Sequence, residues 1–293
     1  MPTETRPLLA ALWMSGAIAS FTLMAVAGRV VQGEMNSFEL MAWRSAIGFV
    51  IVAAILAPKG FAQLRTPVPW LHVKRNLFHF AGQNLWFTGI MLLPLGQLVA
   101  LEFTNPIWVA VLAPLMLGER FTARRAIAAA LGFAGILIVA RPGAAPLEWG
   151  HAAGLGAALG FALNTIYTRR LMAHDSVLCV LFWMTASQAV MGFALGLIGG
   201  MPLPSPGLLP WLVLVGVTGL SAHYSLTSAL RHAPATIVAP MEFLRLPVIA
   251  LVGAALYAEP LLASVFLGGA VILAANLVNT LGRARERRGR EVT

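Results

Sequence analysis

Ten apolar stretches, separated by short polar connections, restrict what this chain can fold into. They cover residues 8–31, 38–57, 71–93, 96–117, 123–140, 150–168, 177–199, 208–230, 236–257 and 260–281. About 17 to 25 apolar residues form a helix that crosses a bilayer. With 59% hydrophobic and only 11% charged residues, the chain does not have the composition of a soluble protein. We therefore predict an all-α polytopic membrane protein with ten transmembrane helices.

The basic residues lie mostly in alternate connections. The chain has 20 Lys and Arg and a net charge of +9, which in a soluble protein would suggest a nucleic-acid partner. If the amino terminus is cytoplasmic, sixteen of these residues fall on the cytoplasmic side, Arg29 and Arg141 fall on the other, and Arg44 and Arg245 lie within spans. Because positive connections stay on the cytoplasmic side, we expect both termini there and no nucleic-acid partner. Cys179 is the only cysteine, so no internal disulfide can form.

The second half of the sequence repeats the first. A displacement of 140 residues, without gaps, superposes several of the less common residues. The pairs are Arg29 and Arg169, Trp43 and Trp183, Pro94 and Pro234, Glu102 and Glu242, Phe103 and Phe243, and Glu119 and Glu259. Such a duplication is typical of transporters that are built from repeats.

Each half contains five predicted spans, over residues 1–145 and 146–282, and a basic cytoplasmic tail follows at 283–293. An odd number of spans means that the halves cross the membrane in opposite senses, as two inverted five-helix repeats around a central cavity. Pro94 and Pro234 lie in the shortest connections and predict tight hairpins. Glu119 and Glu259 precede the fifth and tenth spans, where acids favour helix starts.

The fourth and ninth spans carry charge at membrane depth. Glu102, Asn105 and Trp108 follow one another at helical spacing and predict a polar and aromatic stripe on one helix face. In the second copy, Glu242 and Arg245 are three residues apart and are expected to form an ion pair, which could bind substrate or only fix helix packing. Glu102 lacks an equivalent Arg, so it is the candidate for proton coupling or for binding a substrate amine.

The third and eighth spans also have polar faces. His79, Gln83 and Trp86 lie on one face of the third span, and His223 and Tyr224 occupy the counterpart region. We expect these side chains to line a hydrated cavity, although an intramembrane His can equally be a hydrogen-bonded structural group.

Three further residues inside spans complete the expected substrate-binding set: Trp13, Asn164 and Trp183. A buried Trp can stack on a planar substrate, whereas a Trp that faces lipid has no such role. The spacing of His, Cys and acids predicts no metal site, and no catalytic motif appears, so we do not expect an enzyme.

Two segments carry a resemblance to a known family. The sequences PIWVAVLAPLMLGE at 106–119 and GFAGILIVARPG at 132–143, within a five-plus-five arrangement, resemble the EamA family of the drug/metabolite transporter superfamily. The resemblance implies that 1–145 and 146–282 are EamA-type repeats of a bacterial inner-membrane carrier. It also implies a cavity lined by spans one to four and six to nine.

These observations lead to an expected function. We expect a secondary transporter of small metabolites, most simply an exporter of amino acids by alternating access, since one subgroup of the family exports aromatic and neutral amino acids. The alternatives are an importer of a flat cofactor such as S-adenosylmethionine or riboflavin, and a membrane scaffold that transports nothing. We expect contact with lipid, no cofactor, proton coupling through Glu102, and a monomer or weak dimer.

Overall fold

The computed structural model describes residues 6–117, 122–141 and 146–291, and they form helices and connections without any strand. The helices are listed here in chain order: α1 (Pro7–Val31), α2 (Ser37–Leu56), α3 (Pro69–Leu92), α4 (Leu95–Glu102), α5 (Asn105–Leu117), α6 (Ala123–Ala140), α7 (Trp149–Leu171), α8 (Val177–Ile198), α9 (Leu209–His232), α10 (Ala235–Phe243), α11 (Arg245–Tyr257) and α12 (Ala263–Glu291). Two 3-10 turns, Ala57–Lys59 and Phe61–Leu64, connect α2 to α3.

Seven apolar stretches among the described residues are long enough to cross a membrane: α1, α2, the run Leu95–Leu117, α6, α8, α9 and Ile237–Tyr257. Their outward faces carry large apolar side chains such as Leu115 and Phe133. The prediction of an all-helical membrane protein is therefore confirmed. Helix α3 is as long as these but has polar residues that face the bundle, including His79 and Gln83.

The helices pair across the two halves of the chain. The principal contacts join α1 to α9, α2 to α8, α3 to α7, α6 to α12, and α4 to α11. Exchanging the halves maps the first four of these pairs onto one another, and the fifth joins the fourth span to the ninth, as expected of a two-repeat fold. The guanidinium of Arg29, near the end of α1, donates to the carbonyl of Leu93, and Gly150 at the start of α7 packs against the Leu93 side chain. Helix α7 thus begins where α1 and α3 end.

Small residues let the paired helices approach closely. A Cβ on Gly160 of α7 would lie 2.8 Å from the Cα of Gly82 on α3, and one on Gly192 of α8 would lie 2.6 Å from the backbone nitrogen of Ala42 on α2. In lipid, helices associate through such close packing because neither surface gains by leaving water.

Candidate functional site

The fourth span is broken at Phe103 and Thr104, between α4 and α5. Pro106 has no N–H to donate to the carbonyl of Glu102, so the helical ladder stops there. Thr104 closes the break, because its backbone N–H and its hydroxyl both donate to the carbonyl of Leu101, at 3.1 and 2.7 Å.

The ninth span is broken at Leu244, between α10 and α11. Pro247 cannot donate to the carbonyl of Phe243, and the N–H of Leu244 turns back to the carbonyl of Met241 at 3.1 Å. The two breaks meet inside the bundle, where the rings of Phe103 and Phe243 stack with centroids 4.2 Å apart. Equivalent residues of the two halves thus contact each other.

The break corrects the stripe predicted from the sequence. Glu102 ends α4, whereas Asn105 begins α5 and Trp108 follows it, so the three residues do not share one continuous helix face. The helical spacing assumed unbroken backbone hydrogen bonding, which Pro106 prevents.

Arg245 pairs with Glu102, and the predicted ion pair of Arg245 with Glu242 is wrong. Nη2 of Arg245 donates to Oε1 of Glu102 at 2.7 Å, and Nε1 of Trp86 donates to Oε2 at 2.9 Å. In the described part of the chain, Glu242 has neither a hydrogen bond nor an ion pair from its side chain. The break turns the guanidinium of Arg245 towards Glu102 of the other half.

Aromatic rings enclose the buried guanidinium of Arg245. Its Cζ lies 4.6 Å from the ring centroid of Phe21 and 4.8 Å from that of Phe103. A cation held between ring faces is attracted by the electrons of both rings. Arg245 is therefore fixed by one carboxylate and two rings, which places a nearly neutral ion pair within an aromatic cluster.

The two expected histidines extend this cluster. The ring of His223 lies 5.6 Å from that of Phe21 and 6.2 Å from that of His79. The amide nitrogen of Gln188 donates to Nδ1 of His79 at 2.5 Å. The structure thus brings His79 and His223 together beside the Glu102–Arg245 pair.

Gln83 contacts Arg44, a residue that was not among those expected to form the site. Nη1 of Arg44, in the middle of α2, donates to Oε1 of Gln83 at 2.6 Å. Arg44 was placed within a span, but it was not assigned to a polar face. Its depth alone was a usable signal, since a charge inside a span faces the bundle interior and marks function.

The other expected residues lie away from this cluster. Trp13 and Tyr224 contact each other edge to face at 5.6 Å, and Tyr224 is 62% exposed. Trp183 is 38% exposed and donates to the carbonyl of Leu64 at 3.1 Å. Trp108 on α5 and Asn164 on α7 each have a buried polar atom that lacks a hydrogen-bond partner in the described residues.

Glu259 does not cap its own helix. It accepts a hydrogen bond from the N–H of Leu95, the first residue of α4, at 2.8 Å, and it forms an ion pair with Arg29. Arg29 also donates to the carbonyls of Ile90 and Leu93, at 3.0 Å for Leu93. We call these residues the Arg29 cluster, which ties α1 and the α3–α4 hairpin to the second half. The equivalent acid, Glu119, lies outside the described residues.

Three potential metal ligands also come together, although their spacing in the sequence suggested none. Ligand atoms of His72, Asp175 and Cys179 lie within 4.8 Å of one another. Tetrahedral zinc bonds of about 2 Å bring ligands to roughly 3.5 Å apart. The carboxylate of Asp175 is hydrogen-bonded to Nε2 of His72 at 2.9 Å and accepts from the hydroxyl of Thr66 at 2.7 Å. These hydrogen bonds connect the start of α3 to the α7–α8 connection without a metal ion.

The fold and the site together define a class of protein. Broken helices that meet inside an apolar bundle, with ionisable side chains at the breaks, are the architecture of secondary transporters. This protein is a multi-pass membrane transporter of small metabolites.

The chain belongs to the EamA-like transporter family, whose sequence profile matches residues 8–141 and 148–281. It is 28% identical to a riboflavin transporter of Rhizobium johnstonii over 93% of this chain and 91% of that protein. It is 30% identical to a riboflavin transporter of Brucella anthropi over 80% and 84%. It is also 23% identical to an S-adenosylmethionine uptake transporter of Rickettsia bellii over 90% and 91%.

Solved structures share the fold, and one crystal structure serves as an example. The two chains superpose with a TM-score of 0.62 at 20% sequence identity, over 94% of this chain and 98% of the other. The match extends to essentially the whole bundle.

Proposed function

We propose that this protein carries a flat heteroaromatic metabolite across the membrane, with riboflavin as the first candidate. The observation that carries the proposal is the aromatic cluster at the breaks, where Phe21, Phe103 and Phe243 surround a mutually neutralised Glu102–Arg245 pair. Ring faces bind planar ring systems by stacking. The names of the relatives support this ranking over amino-acid export.

The substrate-binding residues are part of the proposal. The inner set comprises Glu102, Arg245, Trp86, His79, Gln83 and His223, which lie at the aromatic cluster or its histidine extension, with Gln83 one helical turn from His79. The outer set is proposed from the sequence pattern and comprises Trp13, Asn105, Trp108, Asn164, Trp183 and Tyr224, together with Glu242 for a cargo that carries a cationic group.

The proposed membrane arrangement has ten spans, with α4–α5 as the fourth and α10–α11 as the ninth. The halves 1–145 and 146–282 are inverted repeats, and both termini face the cytoplasm of a bacterial inner membrane. The positive-inside bias supports this orientation. Inverted halves that rock about a fixed site would expose it alternately to the two sides.

Glu102 is the proposed proton-coupling residue. Arg245 and Trp86 each donate to one of its oxygens, and each oxygen keeps a second lone pair that could take a proton. A Glu102→Gln variant that still responds to a pH gradient would contradict this role.

Uptake by proteoliposomes tests the substrate. We expect saturable riboflavin flux, inhibition by other flat ring systems, and no inhibition by phenylalanine. Phe103→Leu, which removes a ring from the cluster, should lower flux at least tenfold. Phe193→Leu is the matched control, because Phe193 contacts Trp43 on the α2–α8 side of the bundle. If the reconstituted protein gives no flavin flux, the proposal is wrong.

A second candidate is S-adenosylmethionine, favoured by one observation. The carboxylate of Glu242 has no ion-pair partner among the described residues and could hold a sulfonium or amine cation. If this is the cargo, Glu242→Gln should abolish S-adenosylmethionine flux. If riboflavin is the cargo, that variant should leave its flux nearly unchanged. Flux of amino acids alone would support the export function that the sequence first suggested.

A further inference from the structure

A polar pocket lies beside the aromatic cluster, between α2, α8 and α9. In this conformation it has room for about one water-sized group, and it is lined by Arg44, Ser45, Thr185 and Gln188, with Gly216 and Gly219 on the α9 wall. Arg44 is seven residues from the start of α2, or about 10 Å along the axis, which is membrane depth. We call this space the Arg44 pocket.

Arg44 has unused hydrogen-bond donors. Only Nη1 is engaged in the described residues, with Gln83 at 2.6 Å and the sulfur of Met41 at 3.5 Å. A Cβ on Gly219 would lie 2.7 Å from Nη2 and 3.1 Å from Nε, so the guanidinium rests directly against the bare backbone of α9. The absence of a side chain at Gly219 gives the guanidinium room beside the pocket.

Two buried arginines of the bundle interior have no carboxylate partner among the described residues. Arg44, Arg75 and Arg245 are all buried, but among the described residues only Arg245 contacts a carboxylate. Arg75 donates to the neutral oxygens of Thr168 and Asn76. An unpaired ion in an apolar interior costs several kcal/mol, and inside a membrane such a residue usually binds a partner.

Helix α3 links the pocket to the aromatic cluster. Gln83 contacts Arg44, and Trp86, three residues and about 4.5 Å further along the axis, contacts Glu102. Gln188 lines the pocket and donates to His79. A compound with a ring in the cluster could therefore place a substituent in the pocket.

We propose that the Arg44 pocket binds an anionic group, a carboxylate or a phosphate, of the transported compound. The proposal rests on the proposed function in that the ring of the same compound occupies the aromatic cluster. It adds that, among flat heteroaromatic compounds, those with an anionic substituent bind more tightly, so a phosphorylated flavin is preferred over riboflavin itself. The two unused donors of Arg44 match the two oxygens of such a group.

Inorganic phosphate and acetate are the first probes, because they need no aromatic site. At equal ionic strength, both should raise the unfolding temperature of the purified protein more than chloride does. The dissociation constant for phosphate should rise at least tenfold in Arg44→Gln, since a hydrogen bond to a charged group is worth about 1.5–3 kcal/mol. Arg65→Gln, which removes one exposed positive charge, is the matched control and should bind phosphate normally.

Gly219→Ala provides a second variant if Arg44→Gln does not fold. It keeps the charge but displaces the guanidinium tip, and it should weaken phosphate binding in the same direction. Equal stabilisation by phosphate in Gly219→Ala, in Arg65→Gln and in the unaltered protein would overturn the proposal.

Quenching of flavin fluorescence separates this inference from the proposed function. Flavin mononucleotide should bind at least tenfold more tightly than riboflavin, and Arg44→Gln should remove the difference. If neither flavin binds but phosphate binding still depends on Arg44, anion binding by the Arg44 pocket is supported and the proposal of flavin transport is wrong. If both flavins bind equally and phosphate binding does not depend on Arg44, the proposal of anion binding by the Arg44 pocket is wrong, whereas the proposal of flavin transport is unaffected.

Discussion

Glu259→Gln should release the Arg29 cluster and open the bundle at that end. The substitution keeps the shape of the side chain but removes the negative charge that Arg29 and the N–H of Leu95 share. A hydrogen bond to a charged group is worth about 1.5–3 kcal/mol and a neutral one about 0.5–1.5 kcal/mol. Changing two charged hydrogen bonds into neutral ones would therefore cost roughly 2–3 kcal/mol of stabilisation of the closed state.

Partial exposure reduces that value. The Arg29 and Glu259 side chains are 16% and 11% exposed, so water screens part of the attraction. We expect about 1.5–2 kcal/mol in favour of the open state. Because 1.4 kcal/mol is tenfold in an equilibrium constant, the open population should rise roughly tenfold to thirtyfold.

A cysteine at position 25 would report this opening. Ala25 is buried on α1, one turn from Arg29 towards Phe21, so it lies between the Arg29 cluster and the aromatic cluster. In a Cys179→Ser background, Ala25→Cys should react with a membrane-impermeant maleimide about ten to thirty times faster when Glu259→Gln is added.

The matched control for this experiment is Glu148→Gln. Glu148 is an exposed acid at the start of α7, at the same end of the bundle, and its carboxylate forms no ion pair among the described residues and contacts its own helix at His151. Unchanged labelling in Glu259→Gln, or an equal increase in Glu148→Gln, would refute the reasoning.

Three further predictions follow from the same contacts and symmetry. Glu119 is at the position equivalent to Glu259. If the halves are inverted repeats, Glu119→Gln should favour opening at the opposite end and so slow the labelling of Ala25→Cys from the Arg29 end. Faster labelling would count against the symmetry. Trp86→Phe replaces the buried indole by a smaller ring and loses the hydrogen bond to Glu102, so riboflavin flux should fall several-fold and the free energy of unfolding should fall by about 1–3 kcal/mol. Gly160→Leu should lower the free energy of unfolding by about 1–3 kcal/mol or more in detergent, because it forces α3 and α7 apart.

Hydropathy alone was enough to place most of the helices. The stretches predicted at 8–31, 38–57, 123–140 and 177–199 coincide with α1, α2, α6 and α8 to within one residue. Length and apolar composition determine whether a segment can cross a bilayer, and both are local properties of the sequence. The two-repeat fold followed from residues in register, which are also visible in the sequence.

The pairing of charges could not be predicted in this way. Arg245 is three residues from Glu242 in the sequence, yet its partner is Glu102, 143 residues away. The helical spacing rule holds only where the backbone is continuous, and Leu244 interrupts it. Pro247 was the available signal for the break, but nothing local indicates which half an unwound segment will face.

The symmetry of the fold explains why the site lies where the breaks meet. Each break occurs at the Glu-Phe pair of its half, and the rings of Phe103 and Phe243 stack across the boundary between the halves. If one half rocks against the other, contacts at this boundary change least near the pivot, whereas contacts at the ends of the bundle must break and form. The Arg29 cluster is an end contact of this kind, and the Glu102–Arg245 pair lies near the pivot. A cargo held at the breaks could therefore stay bound while the end contacts exchange.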